Sequence, residues 1–429
     1  MSCIYSALKP LHVVSKLPGL APCSGGKSGT TIPDITGKTS FRFSVLYNHM
    51  MFAYMLGWFI FDMTLEAIYR YPKLSSRNII PIIIRSCTFA GICLSTLILC
   101  HRRSLRVFCS KISLVDKVLL GEKASSAYAT TKLIVIIKIL VVFVSACMIT
   151  LCDISGRRIY FTSVVRMSGC IIGGSIATLM LVQYLIFVWI LKSRLAKLNT
   201  QLSAMLISNF EEESLETFVS VLEHSSKANS TDTVLFGSKS ENLKMLDPLF
   251  FPVRKIRNQL FHHDRQHIRA LRQIHGVLCD VIQMINSNYG IPILLIISYA
   301  FVSFVMFTFL AMDSRHVDSM ADCDDETSCG GVIMNFCISC TCMIKVMGVV
   351  MSYHTTSSEA AYTSTVVQKL ISQMPVRADS LAELQLFSQQ LWNTDFSFTA
   401  FGFFAINLNL LCSVAGTATT YIVVLLQLK

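Results

Sequence analysis

Four residues near the end of the chain, Thr417, Thr420, Val424 and Gln427, recur at intervals of three and four. On an α-helix, residues so spaced share one face. They lie in the run Phe403 to Leu426, which holds no charged residue and is long enough to cross a bilayer, a task for about 20 apolar residues. Two hydroxyls and an amide aligned with a valine make a face that meets water or a protein partner within the membrane. The blander reading is a polar stripe buried between helices. Ala415, Gly416 and Ala418 sit beside this face and let neighbouring helices approach closely.

Other residues that could do chemistry are scattered. Arg85 and Arg166 fall within apolar runs, Asp62 and Glu66 close another, and Lys345 lies deeper in a fourth. Ionisable residues inside a membrane mark function, unless they snorkel to its surface or pair between helices. The run His262-His263-Asp264-Arg265-Gln266-His267 puts His263 and His267 one helical turn apart, a spacing that can share a metal. The remaining histidines form no second box, so a polar helix face is the better account and no metal is expected. No paired carboxylates and no nucleophile with a base occur, which excludes an enzyme as the first reading and implies no cofactor. Most of the 16 cysteines, Cys87, Cys93, Cys147, Cys170, Cys337, Cys340 and Cys342 among them, lie in apolar runs. There a thiol packs as a small hydrophobe. No paired CxxC motif suggests zinc.

These residues need apolar helices to position them. Hydrophobic residues make up 53% of the chain, charged residues 15%, and the mean hydropathy is +0.56. A soluble domain carries about 25% charged residues, so this is a membrane protein. The fold class that follows is all-α, a bundle of seven spans at about 44–66, 79–100, 131–152, 160–191, 289–312, 331–353 and 400–427. Residues 1–43 hold no apolar core of a signal peptide, so the first span must target the chain. Their Gly, Ser, Pro and Lys content predicts a mobile tail.

Basic residues orient the bundle. With the N-terminus inside, the tail and the 101–130, 192–288 and 354–399 segments carry 25 Lys and Arg, against 7 outside. Leaving out the long 192–288 segment, the bias is still 13 to 7. The net charge of +11 is thus membrane-oriented and does not call for nucleic acid. The outer 313–330 loop is acidic, with Asp313, Asp318, Asp322, Asp324, Asp325 and Glu326. It is either a solvated turn or a cation-concentrating one. Cys323 and Cys329 on this outer side are the best-placed pair for a disulfide. The sequon Asn229-Ser230-Thr231 falls inside, where it would stay unglycosylated. A G-protein-coupled receptor is the alternative seven-span class. It needs the opposite orientation, and span three ends Leu151-Cys152-Asp153 while span seven has no proline.

The organisation that emerges is a cytosolic tail (1–43), spans one to four (44–191), a cytosolic loop (192–288), spans five and six (289–353), a cytosolic helical anchor (354–399) and span seven (400–429). Within the loop, 210–247 is polar and predicted disordered. From Pro252 a helical pattern returns, with Ile268, Leu271, Ile274, Leu278, Val281 and Ile285 forming a stalk into span five. Leu381, Leu384, Phe387 and Leu391 form a second amphipathic stripe.

At this point the chain resembles the insect gustatory receptors, within the insect chemoreceptor superfamily. Thr420-Tyr421, five hydrophobic residues and Gln427-Leu428 are similar to the family's last-span signature, with Leu428 in place of its final Phe. The stretches Phe398 to Phe404, Ala415 to Thr420, and Leu271 to His275 running through Asn286 into Tyr289-Gly290 resemble it too. The resemblance implies a tetrameric, ligand-gated, non-selective cation channel in the plasma membrane of taste neurons. It would be homomeric or heteromeric with other gustatory receptors, and its partners would be a soluble tastant, lipid and permeating cations. It implies that Thr417, Thr420, Val424 and Gln427 line the pore, with Val424 and Gln427 matching the gate of the superfamily's odorant co-receptor. It further implies a ligand pocket within each bundle, for which Arg85, Thr88, Tyr160, Ser163, Arg166, Asn335 and Ser339 are the candidate polar lining. The tastant, whether sugar, polyol or bitter plant compound, does not follow.

Overall fold

The computed structural model describes residues 4–16, 46–47, 49–50, 52–61, 64, 90–96, 104–121, 124–155, 161–230, 247–318, 326–373, 378–394 and 396–427. These residues are helical except for short turns and one isolated β-bridge, Thr399 with Ala405. In chain order the helices are α1 (Ile4–Lys16), α2 (Phe52–Phe61), α3 (90–96), α4 (Ser104–Leu119) and α5 (Ala124–Ser155). After these come α6 (Phe161–Ser230), α7 (Asp247–Asp318), α8 (Glu326–Gln373), α9 (Ala378–Asn393) and α10 (Leu408–Gln427). Five stretches among them are long and apolar enough to span: Ala124–Val144, Ile172–Leu206, Arg265–Met312, Phe336–Ser372 and Leu408–Gln427. Each overlaps one of the expected spans three to seven. The first expected span contains α2, a shorter apolar helix, and the second contains α3; the rest of both lies outside the described residues.

The chain divides into two compact units. The first comprises Met1–Lys192, Asp280–Thr356 and Ser397–Lys429. Its centre is α6, whose apolar window is 67% buried against 11% for α10. Ile186, Phe187, Ile190 and Leu191 are fully enclosed. A helix that is apolar all round belongs in an interior. Phe187 stacks on Phe108 of α4 with ring centroids 4.2 Å apart and meets Tyr289 of α7 edge-on at 5.7 Å. On the rim of this unit Lys111 Nζ donates to Asp280 Oδ2 at 2.7 Å, joining α4 to α7. Exposed pairs of this kind contribute about 0–1 kcal/mol.

The tail expected to be mobile instead begins with a packed helix. Ile4, Leu8 and Leu11 of α1 are almost fully buried, and α1 lies against α4 and α5. Their spacing of four and three makes one apolar stripe, sufficient to hold a 13-residue helix that would be marginal alone. The polar composition belongs to the residues after Lys16.

The second unit comprises Ser193–Cys279 and Ser357–Phe396. Leu195, Leu198 and Leu202 of α6 are buried in it, as are Ile268, Leu271 and Leu278 of α7, Val366, Val367 and Leu370 of α8, and Leu384 and Phe387 of α9. The two amphipathic stripes read from the sequence therefore face a shared core. Polar groups register the helices. Asn199 Nδ2 donates to the Glu359 carbonyl at 2.8 Å, and its Oδ1 accepts from Thr363 Oγ1 at 2.6 Å. Arg272 Nη2 lies 3.2 Å from Glu383 Oε2, an ion pair without hydrogen-bond geometry. His275 packs its ring 5.5 Å from that of Phe387. Of the run His262 to His267 that invites a metal reading, the helix is described, but the side chains of His262, His263 and Asp264 are not. The polar stretch expected to be disordered from 210 is helical as far as Ser230, where α6 ends, and helical again from Asp247; residues 231–246 lie outside the described residues.

Candidate functional site

The chain reaches α10 through a tight turn, residues 397–407. Span seven was expected to start at residue 400, but Phe401 and Gly402 have φ of 53° and 79°, which no right-handed helix accepts. The Phe403 amide donates to the Ala400 carbonyl at 3.0 Å, closing a four-residue turn with both central φ positive, the pattern of type I′. Outside it, Ala400 N donates to Phe404 O at 3.0 Å and Ile406 N to Phe398 O at 3.1 Å. A phenylalanine in the left-handed region costs about 1–2 kcal/mol, so this bonding must outweigh the strain. Phe398, Ala400 and Ile406 are buried, whereas Phe401 and Phe403 are exposed.

α7 and its neighbours seat the turn. Asn286 Nδ2 donates to the Ser397 carbonyl at 2.8 Å. Gly290 faces the Phe401 backbone so closely that a Cβ would stand 3.1 Å from its nitrogen and 3.2 Å from its Cα. The Phe398 ring is edge-on to Tyr353 at 5.8 Å and to Tyr184 at 6.4 Å. α10 then starts after Asn407, whose Oδ1 accepts from the Leu410 amide at 3.1 Å as an N-cap does.

Within the chain α10 buries one narrow stripe, Val414 and Ala418. Tyr421 is half exposed, with its ring edge-on to Phe301 of α7 at 6.4 Å. Thr417, Thr420, Val424 and Gln427 are all exposed, so the polar face is not packed against the described residues of its own chain. Thr420 Oγ1 bonds back to the Gly416 carbonyl at 3.0 Å, which satisfies its hydrogen without turning the side chain from that face.

The other sequence candidates are placed less fully. Arg85, Thr88, Tyr160 and Cys323 lie outside the described residues; Ser163 and Arg166 fall on α6, Asn335 and Cys329 on α8, where the helix is described and these side chains are not. Ser339 of α8 is buried and its hydroxyl lies 2.7 Å from Thr308 Oγ1 of α7, a bond between helices.

Sequence reading missed a buried relay. Gln183 of α6 donates through Nε2 to Ser15 Oγ of α1 and accepts through Oε1 from Tyr289 OH of α7 at 3.2 Å. Tyr289 adjoins Gly290, so the relay runs from the first helix to the seat of the last. A lone glutamine in an apolar run was its signal. Gln183→Leu keeps the bulk and removes both bonds. Losing them should lower stability by about 1–3 kcal/mol, read as an earlier thermal transition of the purified chain. An unchanged transition would mean the relay is not structural.

The family model described as 7tm Chemosensory receptor matches residues 8–429. The chain belongs to this receptor family. Among known proteins, this chemosensory receptor is 26% identical to gustatory receptor 28b of Drosophila melanogaster over 160 residues, 37% of this chain and 34% of that one. It is also 26% identical to gustatory receptor 28a of the same organism over 164 residues, 38% and 35% of the two chains. The matched region spans about a third of the length of these relatives. Among solved structures, the olfactory receptor OR5 from Machilis hrabei has the same fold, with a TM-score of 0.64, 10% identity and 98% of each chain covered. Its complex with eugenol matches at 0.62 over the same shares. The receptor therefore has the all-α, seven-span fold expected from its apolar runs.

Proposed function

We propose that this receptor is a gustatory, tastant-gated, non-selective cation channel, with α10 from each of four copies surrounding one central path. The observation that carries the reading is the unpacked polar face of α10, from Thr417 to Gln427, on a helix that its own chain barely buries. Exposed hydroxyls and an amide are costly against lipid and favourable against water. A valine ring closes such a path by dewetting, and a glutamine ring offers dipoles to a partly hydrated cation. The basic bias of the segments supports a cytosolic N-terminus and an extracellular C-terminus. That orientation puts Val424 and Gln427 near the outer mouth, by the acidic 313–330 loop. It also disfavours a G-protein-coupled receptor.

The ligand is a soluble compound, sugar, polyol or bitter, held by a pocket to which Arg85, Thr88, Tyr160, Ser163, Arg166, Asn335 and Ser339 contribute. The receptor works in the plasma membrane of taste neurons, in their dendrites, alone or with other gustatory receptors. Whole-cell current during a tastant screen, with the chain expressed alone and with partner subunits, tests this directly. A tag before Met1 should be hidden and one after Lys429 reachable in intact cells, and Asn229 should carry no glycan. A glycan there, or a hidden C-terminus, would overturn the orientation and the channel with it.

A further inference from the structure

The turn before α10 carries two aromatic rings that nothing among the described residues encloses. Phe401 is 56% exposed and Phe403 74%, while Phe398, Ala400 and Ile406 on its stem are buried. The rings stack, with centroids 6.3 Å apart and planes 29° apart. The turn spends unusual backbone geometry on this presentation, since Phe401 is the described non-glycine residue with positive φ. Strain that persists at one site, over-determined by its surroundings, points to a use for what it displays. Two backbone bonds, the Asn286 bond to Ser397 and the close approach of Gly290 hold the stem rigid.

The length of α10 says where this tip stands. Its 20 residues rise about 30 Å at 1.5 Å each, the thickness of the hydrocarbon core. Leu408 then lies at the edge of that core, and the tip, five to seven residues earlier, in the interfacial layer beside it. A phenylalanine held in that layer gains by burying its wholly apolar ring at the boundary between headgroups and acyl chains, as the apolar face of an interfacial helix does. We propose that the Phe401–Phe403 tip is a membrane-interface anchor that inserts between phospholipids at the start of α10. It fixes the depth of that helix in the bilayer through a rigid stem. This rests on α10 crossing the membrane and not on what permeates.

The test is a photo-crosslinker in place of one ring. Phe403→p-benzoylphenylalanine keeps an aromatic body, and the same replacement at buried Phe398 serves as the internal comparison. Full-length receptor carrying either is irradiated in phosphatidylcholine–phosphatidylserine nanodiscs and examined by intact mass. Phospholipid adducts at 403, at least several-fold above those at 398, are expected. Covalent dimers of the receptor at 403 would show that a second copy covers the tip, and adducts no more frequent than at 398 would show that no lipid reaches it; either result overturns the proposal. In case the crosslinker disturbs folding, Phe403→Trp gives a second reading. Its added fluorescence should be quenched by brominated phospholipid and spared by aqueous iodide, and the reverse pattern would also overturn the anchor. Crosslinking and quenching read lipid contact in a silent receptor as well as in a conducting one, so failure of the gating proposal and failure of the anchor are distinguishable.

Discussion

Replacing Val424 with alanine should raise the current that flows without ligand by at least tenfold. The side chain loses two methyl groups, each about 0.8 kcal/mol of apolar surface. The shorter side chain widens the ring as well as removing apolar surface, and a tenfold change needs only about 1.4 kcal/mol off the dewetting barrier. In the proposed tetramer four such changes act together. Gln427 should control what passes. Gln427→Glu sets four like charges around a ring, favouring cations and inviting divalent block, and Gln427→Arg should suppress cation current. Leu426, half buried on another face of α10, should affect assembly when made polar. The measurements are whole-cell current, reversal potentials in exchanged cations and surface expression for each variant. Altered selectivity from Leu426 changes with none from Gln427 changes would show that the helix had been assigned the wrong face.

Gly290→Ala should uncouple the seat of α10. The new Cβ would press on the Phe401 nitrogen and Cα, at 3.1 and 3.2 Å, and these are backbone atoms of a turn already in the left-handed region. Neither can swing aside as a flexible side chain would. Overpacking of this kind costs about 1–3 kcal/mol, and Gly290→Val should cost more. Thermal unfolding of detergent-solubilised receptor reads the loss, and ligand-evoked current should fall with it. Gly57→Ala is the fitting comparison, since a Cβ there meets nothing within 4 Å. A Gly290→Ala receptor as stable as Gly57→Ala would mean that the close approach carries no weight. Gly416, also open within the chain, serves a different purpose. A loss on Gly416→Ala would report contact with another copy.

Where the sequence was legible, the reason was length and period. Apolar runs exceeding 20 residues produced the spanning parts of α5, α6, α7, α8 and α10, and the Leu384–Phe387 stripe produced α9. The polar face of α10 was readable because Thr417 to Gln427 keep helical spacing; that its own chain leaves it uncovered was not. Boundaries failed where composition and backbone disagree. Residues 400–407 are apolar enough to extend the span, yet Gly402 and the strained Phe401 make them a turn. Residues 4–16 were submerged in the polar composition that follows, although Ile4, Leu8 and Leu11 already had the spacing of a packed helix. The lone Gln183 in an apolar run hinted at a partner, but neither the partners of its relay nor the Gly290 contact could be read. Each depends on residues over a hundred positions apart meeting in space, and no local pattern announces such meetings.

The bonds that shape the turn before α10 are mostly between backbone groups, and the contact at Gly290 is also to backbone. Support of this kind takes no notice of which side chains the helix beyond carries. The exposed face of α10 is thus modular. Its residues can be exchanged, singly or as a cassette, while the mounting stays the same. In the proposed channel, permeation could be retuned by substitutions within about three helical turns, and another face could be grafted after Asn407 onto an unchanged mount.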